Sequence, residues 1–338
     1  LLSSRQLVAM ALGTYFQHCG PEAGGSSVLQ SMELLRRALL KRRGASAREC
    51  ESARLEAGAG ACELPGLQGV VTARLGWPLR HKLAFDADQL AYLASKYPEE
   101  GQRFSELADG FVAARRHHVD EGQDLMSSLD RVKEHYGRPV HSETGRRWHG
   151  GSVLAANLSE LNLQWTDQVQ QGQAPIFVVD DVLTPEALAE IRRQALESTV
   201  WFDGAKPNGY VGAYIHEGLG TEVLLQFAHE LSEALPQVIG DRRLWHMWMY
   251  AYDSSGPESQ GIAMHADFAA VNLNLWVTPN SANLDPETGG LVVFDRRPPD
   301  GARFEDFNCR PSNQSCPERL EGFVLDGGSR RIPYRQNR

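Results

Sequence analysis

His265 and Asp267 stand two residues apart in the run Gly261-Ile-Ala-Met-His265-Ala-Asp267. In an extended chain side chains alternate faces, so these two point one way and Ala266 the other. A neutral imidazole and a carboxylate on one face can both reach one small divalent metal. They amount to two of the three ligands of the facial triad that holds non-haem Fe(II) and leaves positions open. A bare His-x-Asp pair arises often by chance, and alone it reads first as a solvated pair in a surface loop.

The next run, Val271-Asn-Leu-Asn-Leu-Trp-Val-Thr278, keeps the period of two. Val271, Leu273, Leu275 and Val277 form an apolar face. Asn272, Asn274, Trp276 and Thr278 form the other, which predicts a strand lining a polar pocket. The two runs are expected to be strands joined by a short turn. A Pro/Asn/Asp/Gly-rich connection follows from Pro279 to Gly290, and then a short apolar strand, Leu291–Phe294. Upstream, Trp248, Tyr250 and Tyr252 alternate onto one face. Ordinary core packing accounts for them as well as a pocket wall does.

Residues 248–338 resemble the iron(II)- and 2-oxoglutarate-dependent dioxygenases, prolyl-hydroxylase-like. The marks are Tyr252 in Tyr250-Ala-Tyr252-Asp253, His265-x-Asp267, Val271-Asn-Leu-Asn-Leu-Trp276, Asn283-Leu-Asp-Pro286 and Gly289-Gly290-Leu291. The resemblance implies His265 and Asp267 as iron ligands and catalytic centre. It implies 2-oxoglutarate as cosubstrate, chelating the iron, with ascorbate as accessory reductant. Tyr252 would hydrogen-bond the oxoglutarate carboxylate. Asn274 would donate to oxoglutarate or substrate, and Trp276 would floor the pocket. The implied reaction is oxygen insertion into an unactivated C–H bond; iron and cosubstrate carry the hard chemistry and the protein orients and shields it.

The sequence departs from that family in one respect. No histidine follows His265, so the family's distal histidine ligand and the basic partner of the far oxoglutarate carboxylate are missing. In relatives, a segment like Ile332-Pro-Tyr-Arg-Gln-Asn337-Arg338 lies just before the strand carrying that histidine. The expectation is a fragment ending one or two strands early, inactive and prone to associate through unpaired strand edges.

The elements that must position this centre are helical first. Leu12-Gly13-x-x-Phe16 followed by Met32–Leu39 resembles a tetratricopeptide-like helical hairpin over residues 1–60, the end of an array or any amphipathic hairpin. Residues 61–172 read as a helical connecting region. Apolar residues at helical spacing run from His81 to Ala94, and a second helix is expected over 104–136 with Phe104, Leu107, Phe111, Leu125, Leu129 and Val132 inward. His135, His141 and His149 fall in a loop whose spacing fits no closed zinc site. The domain expected over 173–338 opens with a strand, Ile176–Val179. Thr184 and Pro185 then mark a helix start, with Leu188, Ile191 and Ala195 as its buried stripe. Tyr210–Ile215 reads as a strand, and Thr221 caps a helix burying Leu224, Phe227, Ala228 and Leu231. Helices followed by short strands predict an α+β chain. Its sheet part is expected to be a double-stranded β-helix (jelly roll) lacking its last strands.

Composition sets the outer bounds. The 338 residues allow two or three domains, and 42% apolar content is ordinary for a globular chain. A net charge of −9 disfavours a nucleic-acid surface. No apolar run is long enough to cross a membrane. Five cysteines, few, odd and scattered, predict a reducing, cytoplasmic setting. Cys309 and Cys316 share a loop that could close a local disulfide, but free thiols are the expectation. Two functional classes follow. One is an oxygenase acting on a protein or peptide side chain, because adjoining helical repeats make concave peptide-binding surfaces. The other is an inactive oxygenase-like domain serving as a protein-binding module.

Overall fold

The computed structural model describes residues 9–17, 77–119, 130, 132–142, 146–171, 175–204, 210–252, 262, 264–267, 269–283, 287, 289–299, 306–308, 316–325 and 327–338. These residues form an α+β fold of six helices and two small antiparallel sheets. The helices are α1 (Trp77–Lys96), α2 (Gly101–Val119), α3 (Ser159–Gln170), α4 (Pro185–Glu197), α5 (Glu222–Ala234) and α6 (Cys316–Leu325). The strands are β1 (Ala9–Gln17), β2 (Tyr210–Tyr214), β3 (Arg243–Tyr252), β4 (Val271–Trp276), β5 (Gly290–Phe294) and β6 (Ser329–Pro333). The larger sheet runs β2-β3-β1-β4, and β5 pairs with β6.

β1 overturns an expectation. Ala9–Gln17 forms a strand between β3 and β4, not the first helix of a hairpin. Its Ala-Leu-Gly-Thr-Tyr-Phe run suits a strand as well as a helix, and two waiting edges decide the matter by tertiary pairing. The second half of the expected hairpin, Met32–Leu39, lies outside the described residues.

One face of the larger sheet is apolar. Val211, Ala213, Met247, Met249, Ala251 and Leu275 are buried there against α4 and α5. α4 begins as its sequence dictates: Thr184 accepts a hydrogen bond from Ala187 N at 3.2 Å, and Pro185 takes the first helical position. α5 buries Val223, Leu224, Leu225, Phe227, Ala228 and Leu231, a stripe at helical spacing. Thr221 precedes it as expected but makes no side-chain cap bond. Burying a side chain such as Phe227 contributes about 1.5–3 kcal/mol. Val153 and Leu158 enter the same core, and Leu154 bridges Leu183. The core of the sheet domain therefore begins upstream of residue 173. Ile176–Val179 is not hydrogen-bonded into a ladder, contrary to its strand-like pattern.

α1 and α2 pack as a hairpin with a core of their own, built on Leu83, Leu90, Leu93, Phe104 and Phe111. α2 is described as far as Val119, and residues 120–129 lie outside the described residues; residues 132–137 form turns, so the expected helix does not run through to 136, and Val132 is buried from a turn. The hairpin is fastened to α4. Gln89 donates to Leu196 O and Ser198 O at 3.1 and 2.9 Å. Tyr97 donates to the buried Glu197 carboxylate at 2.6 Å, and Arg193 donates to the same group at 2.8 Å.

Cys316 is disulfide-bonded, in place of the free thiol that the cysteine count predicts. The other four cysteines lie outside the described residues. No helix among the described residues is long and apolar enough to cross a membrane.

Candidate functional site

The face of the larger sheet opposite the core carries the polar and aromatic residues. Directly paired residues share a face, so the register sorts them into rows. Asn272 pairs with Tyr15, and Tyr15 with His246. Asn274 shares a row with Gly13, Trp248 and Tyr214. Trp276 shares one with Ala11, Tyr250 and Gly212. Tyr252 stands in the last row with Ala9 and Tyr210, beyond the end of β4. The division of β4 is the one its alternation predicts: Leu275 is buried and Asn272 and Asn274 are exposed.

His265 and Asp267 converge. His265 Nε2 lies 3.3 Å from Asp267 Oδ1, with the two side chains 39% and 27% exposed. Asn272 Nδ2 donates to the other carboxylate oxygen, Asp267 Oδ2. One carboxylate oxygen is thus held by β4 while the other faces the imidazole. The intervening Ala266 is held through its backbone. Its N–H donates to Phe307 O at 3.1 Å, and its carbonyl accepts from Asn308 Nδ2 at 2.9 Å. Among the described residues His265 forms an isolated antiparallel bridge with Asn308, outside any named strand; part of the first expected strand lies outside the described residues.

The clamp is itself supported. Phe307 packs edge-on against Phe323 of α6 at 5.2 Å, and Arg319 donates to Asp306 O. Arg296 lies over the Phe323 ring at 4.5 Å and donates to the Phe323 carbonyl at 2.8 Å. A chain of packed groups therefore runs from α6 through residues 306–308 to the His-x-Asp backbone. Period and spacing gave no sign of Asn308, because the residues it joins are far apart in sequence.

The remaining expected site residues are distributed unevenly. Asn272 fixes the row nearest the pair, and Asn274 is one row further along β4. Trp276 is two rows away, and its ring packs on Tyr334 at 5.5 Å. Tyr252 stands three rows from Asn272, about 20 Å along the strand direction. The structure does not bring it to His265 and Asp267. Its phenol packs instead with Tyr210 and Tyr250 at 5.4 and 6.4 Å. Burial, and then those two neighbouring phenols, push its pKa well above the usual tyrosine value.

The nearer rows hold residues that motif reading passed over. His246 stacks between Tyr214 and Trp248, each at 5.5 Å. Tyr214 donates to Asp203 at 2.6 Å, and burial followed by the Asp203 charge raises its pKa. The signal was present, since alternation along Arg243–Tyr252 sets His246 on the face of Trp248, Tyr250 and Tyr252. Which strands pair with β3 on either side was not visible. His141 of the three-histidine loop packs on the Tyr97 ring at 4.9 Å.

Among the described residues no group of three or more His, Cys, Asp or Glu side chains is placed to hold a metal. Within those residues the pair offers one imidazole and one carboxylate, with an amide orienting the carboxylate. No protein-family model, curated protein or solved structure matches this chain.

Proposed function

We propose that this chain is a non-haem Fe(II)/2-oxoglutarate-dependent oxygenase that hydroxylates a protein or peptide side chain. The observation that carries the reading is the convergence of His265 and Asp267, 3.3 Å apart, on a backbone clamped at Ala266. Imidazole and carboxylate suit Fe(II), and the pair supplies two of the three protein ligands of a facial triad. Bound there, iron with 2-oxoglutarate and dioxygen supplies the oxidising power for C–H hydroxylation. His265 Nε2 and an Asp267 oxygen would hold the ion. Asn272 keeps the second Asp267 oxygen turned aside, and such outer partners fix ligand orientation. Asn274, one row on, is the asparagine positioned to meet cosubstrate or substrate. Trp276 and Tyr252 stand further off, so neither is assigned a cosubstrate contact. On this reading the sheet is part of a double-stranded β-helix, and ascorbate would serve as reductant.

The test is succinate formation from 2-oxoglutarate by the complete natural protein with Fe(II), ascorbate and a pool of cellular peptides. Wild type is expected to turn over, and His265→Ala and Asp267→Ala are each expected to abolish turnover and weaken Co(II) binding. Equal turnover and Co(II) affinity in all three proteins would overturn the proposal and leave the protein-binding module as the better reading.

A further inference from the structure

Disulfides persist in oxidising compartments and are rare where glutathione keeps thiols reduced. The disulfide at Cys316 therefore points to a chain that folds in a secretory compartment. Asparagine in Asn-x-Ser/Thr, with x other than proline, is the acceptor for N-linked glycans in that setting. The sequence contains Asn157-Leu158-Ser159 and Asn313-Gln314-Ser315. The second tripeptide lies outside the described residues.

The first is displayed at the entry to α3. Leu158 is 5% exposed and belongs to the main core, which anchors the turn. Asn157 and Ser159, on either side of it, are both exposed. Asn157 Oδ1 accepts the Ser159 backbone N–H at 3.0 Å, an Asx turn. That bond uses the oxygen only. Asn157 Nδ2, the atom a glycan would occupy, has no hydrogen bond among the described residues. The finished fold can therefore carry a substituent on that nitrogen without breaking the turn or disturbing the core.

We propose that Asn157 is an N-glycosylation site and that the chain matures in an oxidising secretory compartment. The co-reactant is an oligosaccharide joined through a diphosphate to a lipid. Asn157 Nδ2 attacks C1 of the first sugar, forming an N–C1 bond. The C1–O bond to phosphate breaks, and the lipid diphosphate leaves with the bonding pair. Nδ2 loses one proton, and no atom is oxidised or reduced. The product amide keeps Oδ1 free to accept the Ser159 N–H. This inference stands independently of the oxygenase reading.

The test begins with protein isolated from its own cells and treated with peptide-N-glycosidase in 18O-water. The Asn157 peptide is expected to appear as 18O-labelled Asp, and its recovery wholly as unmodified Asn would overturn the proposal. Peptide mapping separates this signal from Asn313. In a second arm the full chain is expressed behind a secretion signal in eukaryotic cells. Ser159→Ala is expected to abolish the glycan at Asn157. It keeps the turn, whose donor is a backbone N–H. Ser159→Thr is expected to preserve occupancy. A glycan that survives Ser159→Ala, or a wild-type secreted chain bare at Asn157, would count against the assignment.

Discussion

Asn337 ties three segments together, and removing its side chain should be among the most costly single changes in the molecule. The residue is 7% exposed and has a left-handed backbone, with φ of 62°. Its side chain works as a strand rung: Oδ1 accepts from Leu183 N and Nδ2 donates to Leu183 O, both at 2.9 Å. Its own N–H donates to Trp276 O at 2.7 Å, and its carbonyl accepts from Val182 N at 3.2 Å. Asn337→Ala deletes both side-chain bonds and leaves a buried N–H and C=O on Leu183 unpaired. Each such orphan costs about 1–3 kcal/mol. Alanine in a left-handed backbone adds about 1–2 kcal/mol. The expected loss is about 3–8 kcal/mol, a large part of a typical domain's stability. Asn337→Gly should recover about 1 kcal/mol of that, because glycine adopts positive φ freely. Asn337→Asp keeps the acceptor but sets a carboxylate oxygen against the Leu183 carbonyl, and should fall near the alanine variant. Equilibrium urea unfolding at neutral pH measures all three. A loss below about 1 kcal/mol for Asn337→Ala, or a glycine variant no better than alanine, would refute the reasoning.

Asn272→Ala should leave the fold intact and lower Co(II) affinity about 10–100-fold, as loss of an outer-shell partner does; unchanged calorimetric affinity would remove Asn272 from the site. Tyr97→Phe should cost about 1–3 kcal/mol, because it takes one partner from a carboxylate that is 1% exposed; an unchanged unfolding midpoint would mean the α1–α2 hairpin is not fastened at Glu197. Asp180 is held below its ordinary pKa, first by the Arg338 hydrogen bond and then by the Arg338 and Arg335 charges. Its contribution should be complete above about pH 4 and fade as pH falls through the lowered folded value. Asp180→Asn should therefore flatten the acid limb of a stability–pH profile, and parallel profiles for the two proteins would exclude that role.

Local pattern alone carried several features. Thr184-Pro185 fixed the start of α4, because a cap and a preset φ act within one turn. The alternation in Val271–Trp276 fixed which side of β4 is buried, and the two-residue spacing of His265 and Asp267 fixed that they share a face. Tertiary structure decided the rest. The Ala9–Gln17 segment has no preference strong enough to resist pairing with two strands more than two hundred residues away, so it became β1 and not a helix. Tyr252 met the motif spacing, but sheet register sets it three rows, about 20 Å along the strand direction, from Asn272, the β4 residue that holds Asp267. Asn308, His246 and Asn337 gained their places from partners distant in the chain. Spacing within a sequence sets direction along a strand; which strand lies beside it is set only by the packing of the whole.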